Sequence, residues 1–261
     1  MRQRVTTAVI ALIIFIPLIV YGRLPLTIAA VVLGIIALDE VLIMKKMLLV
    51  SFEAIVSNLG LILLIIPDNW LNWLPDGLSR FFLFYVVVML ILLHTVVKKK
   101  RFTFDDAGVL TLAMLYIGTG FHYFVSARAV GLTTLLFGMF VVWLTDSGAY
   151  MIGRKIGKHK LAPKISPNKT WEGSVGGTIA ATIILAIYLW FFPVGYNWIV
   201  MIILTVMLSI VGQFGDLIES SLKRYYGVKD SGRILPGHGG ILDRFDSMLL
   251  VMPCLFLLGI I

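Results

Sequence analysis

Apolar runs recur from one end of the chain to the other, each broken by a short polar or glycine- and proline-bearing segment. A run of about twenty residues, rising about 1.5 Å per residue as a helix, crosses a hydrocarbon core of about 30 Å. The pattern predicts helical spans over residues 5–22, 25–44, 47–66, 81–97, 107–126, 132–152, 173–193, 197–222 and 241–261. No polar stretch between them is long enough for a separate globular domain. Residues 1–261 therefore read as a single transmembrane domain, an all-α polytopic membrane protein of about nine transmembrane helices. An odd number of spans places the two termini on opposite sides.

Composition agrees, with 59% hydrophobic residues, 14% charged and a mean hydropathy of +0.98, which excludes a soluble domain. The basic residues among Met1–Arg4 precede the first apolar run as in a secretory signal, but no small-x-small cleavage site follows Val20, so the expectation is an uncleaved first span. Basic residues fall on one side. They crowd the start of the chain and the loops near residue 45 and at 98–106, 153–172 and 223–240, whereas the opposite side has only Arg23, Arg80 and Arg128. Positive charge marks the cytoplasmic side, so the N-terminus is expected inside and the C-terminus on the opposite side. The same rule accounts for the net charge of +8 without nucleic acid as a partner. It also reads Lys98–Arg101 as an anchor against anionic headgroups. Trp70, Trp73 and Trp198 lie at external span edges as an interfacial belt. The single Cys254 can form neither an intrachain disulfide nor a thiolate metal site.

Acids within apolar runs demand more explanation, because insertion scales charge an aspartate about 2.5 to 3.5 kcal/mol at mid-bilayer. Asp146, Asp216, Glu219, Asp243 and Asp246 fall inside predicted spans. Counted from the loops, Asp146 and Asp216 lie roughly 10 Å deep and the other three no deeper, a level that a lipid headgroup and a soluble nucleotide both reach. Asp243 and Asp246 are three apart and face the same way, so their charges repel unless a cation intervenes. That cation is either a divalent metal, held as Mg²⁺ is by one or two carboxylates with phosphates and waters, or a positive side chain such as Arg244 or a loop lysine. Glu219 has Lys223 four residues on, in the favourable order for a helix ion pair. Asp39, Glu40 and Glu53 read as structural, facing water or Lys45 and Lys46. His94 and His122 read as packed side chains, and His159 as solvated.

Two loops carry phosphate-binding chemistry. The first runs from Gly153 through Lys160 and then reads Ser166-Pro167-Asn168-Lys169-Thr170-Trp171-Glu172-Gly173. Ser166 with Pro167 behind it predicts a helix start whose exposed N–H groups suit an anion, with Lys169 adding a point charge. The second runs from Ser220 through Lys223, Arg224, Lys229 and Asp230 to Gly237-His238-Gly239-Gly240, and ends in Asp243-Arg244-Phe245-Asp246. Gly232, Gly237, Gly239 and Gly240 permit the close backbone approach that cradles phosphate oxygens. Basic residues, a glycine nest and paired aspartates are the parts of a metal-assisted nucleotide transfer.

The stretch from Ser220 to Asp246 resembles the signature of the phosphatidate cytidylyltransferases (CDP-diacylglycerol synthases) at Lys223, Arg224, Lys229, Asp230, His238, Gly239, Gly240, Asp243, Arg244 and Asp246. Ser166–Gly173 is similar to a second stretch of that family, and Asp146-Ser147 with Gly148 and Tyr150 to a third. Asn168 departs from the pattern, which often has lysine there. The resemblance implies that CTP and phosphatidate give CDP-diacylglycerol and pyrophosphate, a step of phospholipid biosynthesis, in an enzyme integral to the cell membrane with its active site facing the cytoplasm. Loops 153–172 and 223–240 with the adjoining helix ends would form that site. It implies Lys223, Arg224, Lys229, Asp230, His238 and Arg244 as catalytic, and Ser166, Lys169, Thr170, Ser220, Gly239 and Gly240 as substrate- and phosphate-binding. Asp243, Asp246, Asp216 and Asp146 would hold Mg²⁺. A second cation and a homodimer stay open.

Three other readings compete. An ion-coupled transporter using the intramembrane carboxylates predicts acids at mid-bilayer and broken helices in repeated halves, neither of which the chain has. A CDP-alcohol phosphotransferase carries a different aspartate and glycine pattern without the His238-Gly239-Gly240 loop. A non-enzymatic lipid-binding scaffold is separated only by turnover.

Overall fold

The computed structural model describes residues 2–75, 77–98 and 101–261, with the side chains of residues 2–5 and 8 outside that description. Lys99 and Lys100 of the anchor run, and the side chains of Arg2 and Arg4, therefore lie outside the described residues. The helices are α1 (Arg2–Tyr21), α2 (Arg23–Met44), α3 (Phe52–Ile65), α4 (Arg80–Val97), α5 (Phe104–Val130), α6 (Leu132–Ile156), α7 (Trp171–Phe191), α8 (Trp198–Tyr225) and α9 (Leu242–Leu257). A two-stranded antiparallel sheet, β1 (Lys160–Ala162) with β2 (Ser166–Thr170), lies between α6 and α7. Helices α2, α4, α5, α6, α7 and α8 are long and apolar enough to cross a membrane. The protein is an all-α polytopic membrane protein.

Each predicted run is a helix, but two are shorter than expected. The third begins at Phe52 rather than residue 47, because Ser51 Oγ accepts the N–H of Ala54 and caps the helix there. Its 14 residues rise about 21 Å, short of a full hydrocarbon core. The ninth stops at Leu257 rather than 261, where the chain turns through Gly259 at φ 66°.

The chain divides into two compact units. The first holds residues up to Val125 together with Asp230–Leu242. In it the end of α3 is closed by Arg80, whose Nη1 and Nη2 donate to the carbonyls of Leu64 (3.0 Å) and Ile66 (2.5 Å). These are carbonyls that a helix end leaves unpaired. His122, read as a packed side chain, meets Arg80 Nη1 at 2.8 Å. His94 lies 3.2 Å from Glu53 and between the rings of Phe52 and Phe102. Lys45 pairs with Asp106 at 2.7 Å.

The second unit holds Ser126–Lys229 and Asp243–Ile261. Here α6 and α7 pack backbone to backbone. A Cβ on Gly177 would lie 2.6 Å from Thr145 O and Ala149 N, and one on Gly173 would lie 2.7 Å from Ala149 O. Small residues allow that approach, which gains van der Waals contact where no hydrophobic force separates helix from lipid. Hydroxyls add to it. Thr145 shares a 2.8 Å hydrogen bond with Ser209, and Thr178 Oγ1 accepts from Ser209 (2.9 Å) and from Gln213 Nε2 (3.0 Å), joining α6, α7 and α8. Gly215 lets α8 approach α9 equally closely, since its Cβ would lie 2.8 Å from Asp246 O.

Candidate active site

The loop after α6 corrects one expectation. Ser166 does not start a helix: Ser166–Thr170 is a strand paired with Lys160–Ala162, and Thr170 Oγ1 accepts the N–H of Gly173 (3.1 Å) as the cap of α7. The hairpin turns at Ala162-Pro163-Lys164-Ile165, where Ile165 N–H donates to Ala162 O (3.1 Å) and Pro163 has the second-position φ that such a turn needs. Pro167 then sits in a two-stranded edge, where a missing N–H is tolerated. Glu172 accepts the N–H groups of Lys158 (3.1 Å) and His159 (3.2 Å) and lies 2.6 Å from the exposed His159 ring, which fixes the hairpin at its base.

In the second unit the hairpin, α6, α8 and α9 bring charged residues together. Lys169 reaches from β2 to Asp216 on α8 (2.6 Å), and Ser220 Oγ, one turn further along α8, donates to the other oxygen of Asp216 (3.1 Å). Arg224 Nε donates to Ile165 O (3.2 Å) and Nη1 to Val228 O (2.9 Å), tying the hairpin turn to the end of α8. The charge of Asp216 acts on both Asp146 and Asp246, and that of Asp146 on Asp246. Three of the four acids read as metal ligands thus form one repelling group with Lys169 beside it.

The fourth, Asp243, is held differently. Lys223 lies in the last turn of α8 rather than in the loop, and its Nζ sits between Glu219 Oε2 (2.5 Å) and Asp243 Oδ1 (2.6 Å). The i,i+4 pair with Glu219 is as the spacing predicts. The cation beside Asp243 is a lysine, and Arg244 is exposed. Among the described residues no three His, Cys, Asp or Glu side chains stand close enough to ligate one ion alone. A Mg²⁺ bound by one or two carboxylates with phosphates and waters needs no such triad, and the mutual repulsion of Asp146, Asp216 and Asp246 suits a hard cation.

The glycine loop belongs to the first unit. Leu235-Pro236-Gly237-His238 is a turn in which His238 N–H donates to Leu235 O (2.9 Å), with Gly237 at φ 78° as the third residue; Gly239 follows at φ 80°. Gly232 and Gly240 serve space instead, because a Cβ on either would strike the carboxylate of Glu40. Buried His238 Nδ1 has no hydrogen-bond partner among the described residues. Lys229 and Asp230 are exposed where the chain passes from one unit to the other. Glu40, read as facing water or a lysine, is buried at 3% exposure against this loop.

With these groups in place, sequence comparison decides the family. The profile of the cytidylyltransferase family matches residues 2–261. The chain belongs to the cytidylyltransferase family. Phosphatidate cytidylyltransferase of Bacillus subtilis (strain 168) is 47% identical over 261 residues, covering 99% of this chain and 97% of the relative. Those of Staphylococcus haemolyticus (strain JCSC1435) and Staphylococcus aureus (strain COL) are 46% and 44% identical over 258 residues, 99% of this chain and 98% of each relative.

Proposed function

We propose that the protein joins CTP to phosphatidate, giving CDP-diacylglycerol and pyrophosphate. The observation that carries this reading is the full-length likeness to three phosphatidate cytidylyltransferases. A phosphate oxygen of phosphatidate attacks the α-phosphorus of CTP, a P–O bond forms there, and the bond from that phosphorus to the bridging oxygen of the β-phosphate breaks. No alcohol need be deprotonated, because the nucleophile is already an anion. The work left to the protein is alignment and charge. Even unit charges 4 Å apart repel by about 1 kcal/mol in water, and more in a drier site.

Lys169, Lys223, Arg224 and Lys229 supply positive charge against the triphosphate. Asp216 and Asp246, with Asp146 close to both, would hold Mg²⁺, which when bound would neutralise the phosphates and the departing pyrophosphate, while Asp243 is kept by Lys223. The one-sided distribution of lysine and arginine supports a cytoplasmic site with the C-terminus on the opposite side of the membrane. The test is purified protein in mixed micelles with phosphatidate and base-tritiated CTP. Label should enter a chloroform-soluble product that CDP-diacylglycerol standards match, with EDTA abolishing it and ATP and UTP failing to compete. Label that remains water-soluble with phosphatidate present would contradict the reading.

A further inference from the structure

Helix α9 begins after Gly239-Gly240-Ile241, a run with no side chain that can accept a hydrogen bond, yet Ile241 and Leu242 at its start are buried. The cap comes from α2. Glu40 Oε1 accepts the N–H of Ile241 (2.8 Å), and Oε2 accepts the N–H of Leu242 (2.9 Å) and the hydroxyl of Ser231 (2.8 Å). One carboxylate thus grips both ends of the loop that carries His238, Gly239 and Gly240 and that leads by one peptide bond into Asp243. Gly232 and Gly240 pass so close to it that a Cβ on Gly232 would lie 2.5 Å from Oε1. A buried anion is tolerated where charge-assisted hydrogen bonds and the positive end of a helix meet it, and Glu40 has both.

We propose that Glu40 is a positioning residue for the transfer reaction, its carboxylate setting the shape of the 231–242 loop and the start of α9. The proposal rests on the cytidylyltransferase reading for its effect on turnover, but not for the clamp itself. Glu40 touches no reacting atom; it acts through the backbone of Ile241 and Leu242.

The test uses the full chain in micelles with Glu40→Gln, which keeps the size but points N–H at N–H, and Ser231→Ala, which removes one hydrogen bond and leaves the cap of α9. Two readouts are taken well below melting: amide exchange across 231–242, and kcat and KM for CTP per folded molecule. Glu40→Gln should speed exchange at Ile241 and Leu242 roughly tenfold or more while the amides of α2 stay protected. It should lower kcat/KM by a similar or larger factor, with Ser231→Ala between it and the wild type. A purely structural Glu40 would lower the melting temperature and leave kcat and KM of the folded fraction unchanged, which overturns the proposal. Unchanged exchange at Ile241 and Leu242 also overturns it. If Glu40→Gln does not fold, the Ser231→Ala enzyme decides: wild-type kcat, KM and loop exchange together would contradict the clamp. A wild-type protein without turnover would refute the functional reading, and the exchange data would still judge the clamp.

Discussion

Lys223 serves two carboxylates at once. Its side chain is 12% exposed, against 0% for Glu219 and 5% for Asp243, so the three charges share a nearly dry pocket within the second unit. Removing the cation leaves two buried anions facing each other. Lys223→Met is therefore expected to destabilise the folded protein by about 3 to 5 kcal/mol, the range for breaking a buried pair, whereas exposed Lys229→Ala should leave the melting temperature within a degree or so. Equal melting temperatures for the two variants would remove Lys223 from its structural role. The aspartates test the metal. Asp246→Asn keeps size and loses charge, so turnover should fall roughly 100- to 1000-fold, with a higher Mg²⁺ requirement and little loss of folding. A near-normal rate at unchanged Mg²⁺ dependence would exclude Asp246 as a ligand. The Glu219–Lys223 pair was legible because helix geometry brings i and i+4 together. The second partner of Lys223 lies on another helix, and Glu40 meets Ser231 across 191 residues. No local spacing encodes either.

At the scale of elements, the hairpin shows how a residue pattern can suggest the wrong local structure. Pro167 after Ser166 has the look of a helix start, but the turn built on Pro163 pairs Ser166–Thr170 with the preceding strand before Thr170 caps α7. Proline signals both a first helical turn and an edge strand, and only the pairing partner decides. The runs themselves were legible, since twenty apolar residues have few other uses, and the edges moved where caps such as Ser51 overrode hydropathy. Helix packing gives a direct experiment. Gly177→Ala drives a methyl group into the backbone of α6 and should cost about 1 to 3 kcal/mol. Gly108 of α5 has nothing within 4 Å of a Cβ, so Gly108→Ala should be neutral or stabilise by up to about 1 kcal/mol through helix propensity. Melting temperatures of the two variants in one detergent would decide, and a Gly177→Ala protein as stable as the wild type would show that the backbone contact is not as close as described.

For the whole molecule, sidedness and reaction are coupled, since CTP is found only on the cytoplasmic side. Single cysteines in place of exposed Lys164, Arg233 and Asn72, in a Cys254→Ala background, report sidedness through an impermeant thiol reagent applied to intact cells. Asn72 should label and the other two only after permeabilisation; external labelling at Lys164 or Arg233 would reverse the orientation. The family was legible because its signature, from Ser220 to Asp246, puts many fixed positions into one short stretch of chain. The division into two compact units was not, since one of its crossings falls between Val125 and Ser126, inside the unbroken helix α5. The most direct measurement of the central claim compares CTP carrying radiophosphorus at the α position with CTP carrying it at the γ position, each incubated with the purified protein, phosphatidate and Mg²⁺. Cytidylyl transfer predicts that α-label enters the lipid phase while γ-label is recovered as pyrophosphate. γ-Label in the lipid, or neither label there, would contradict the account.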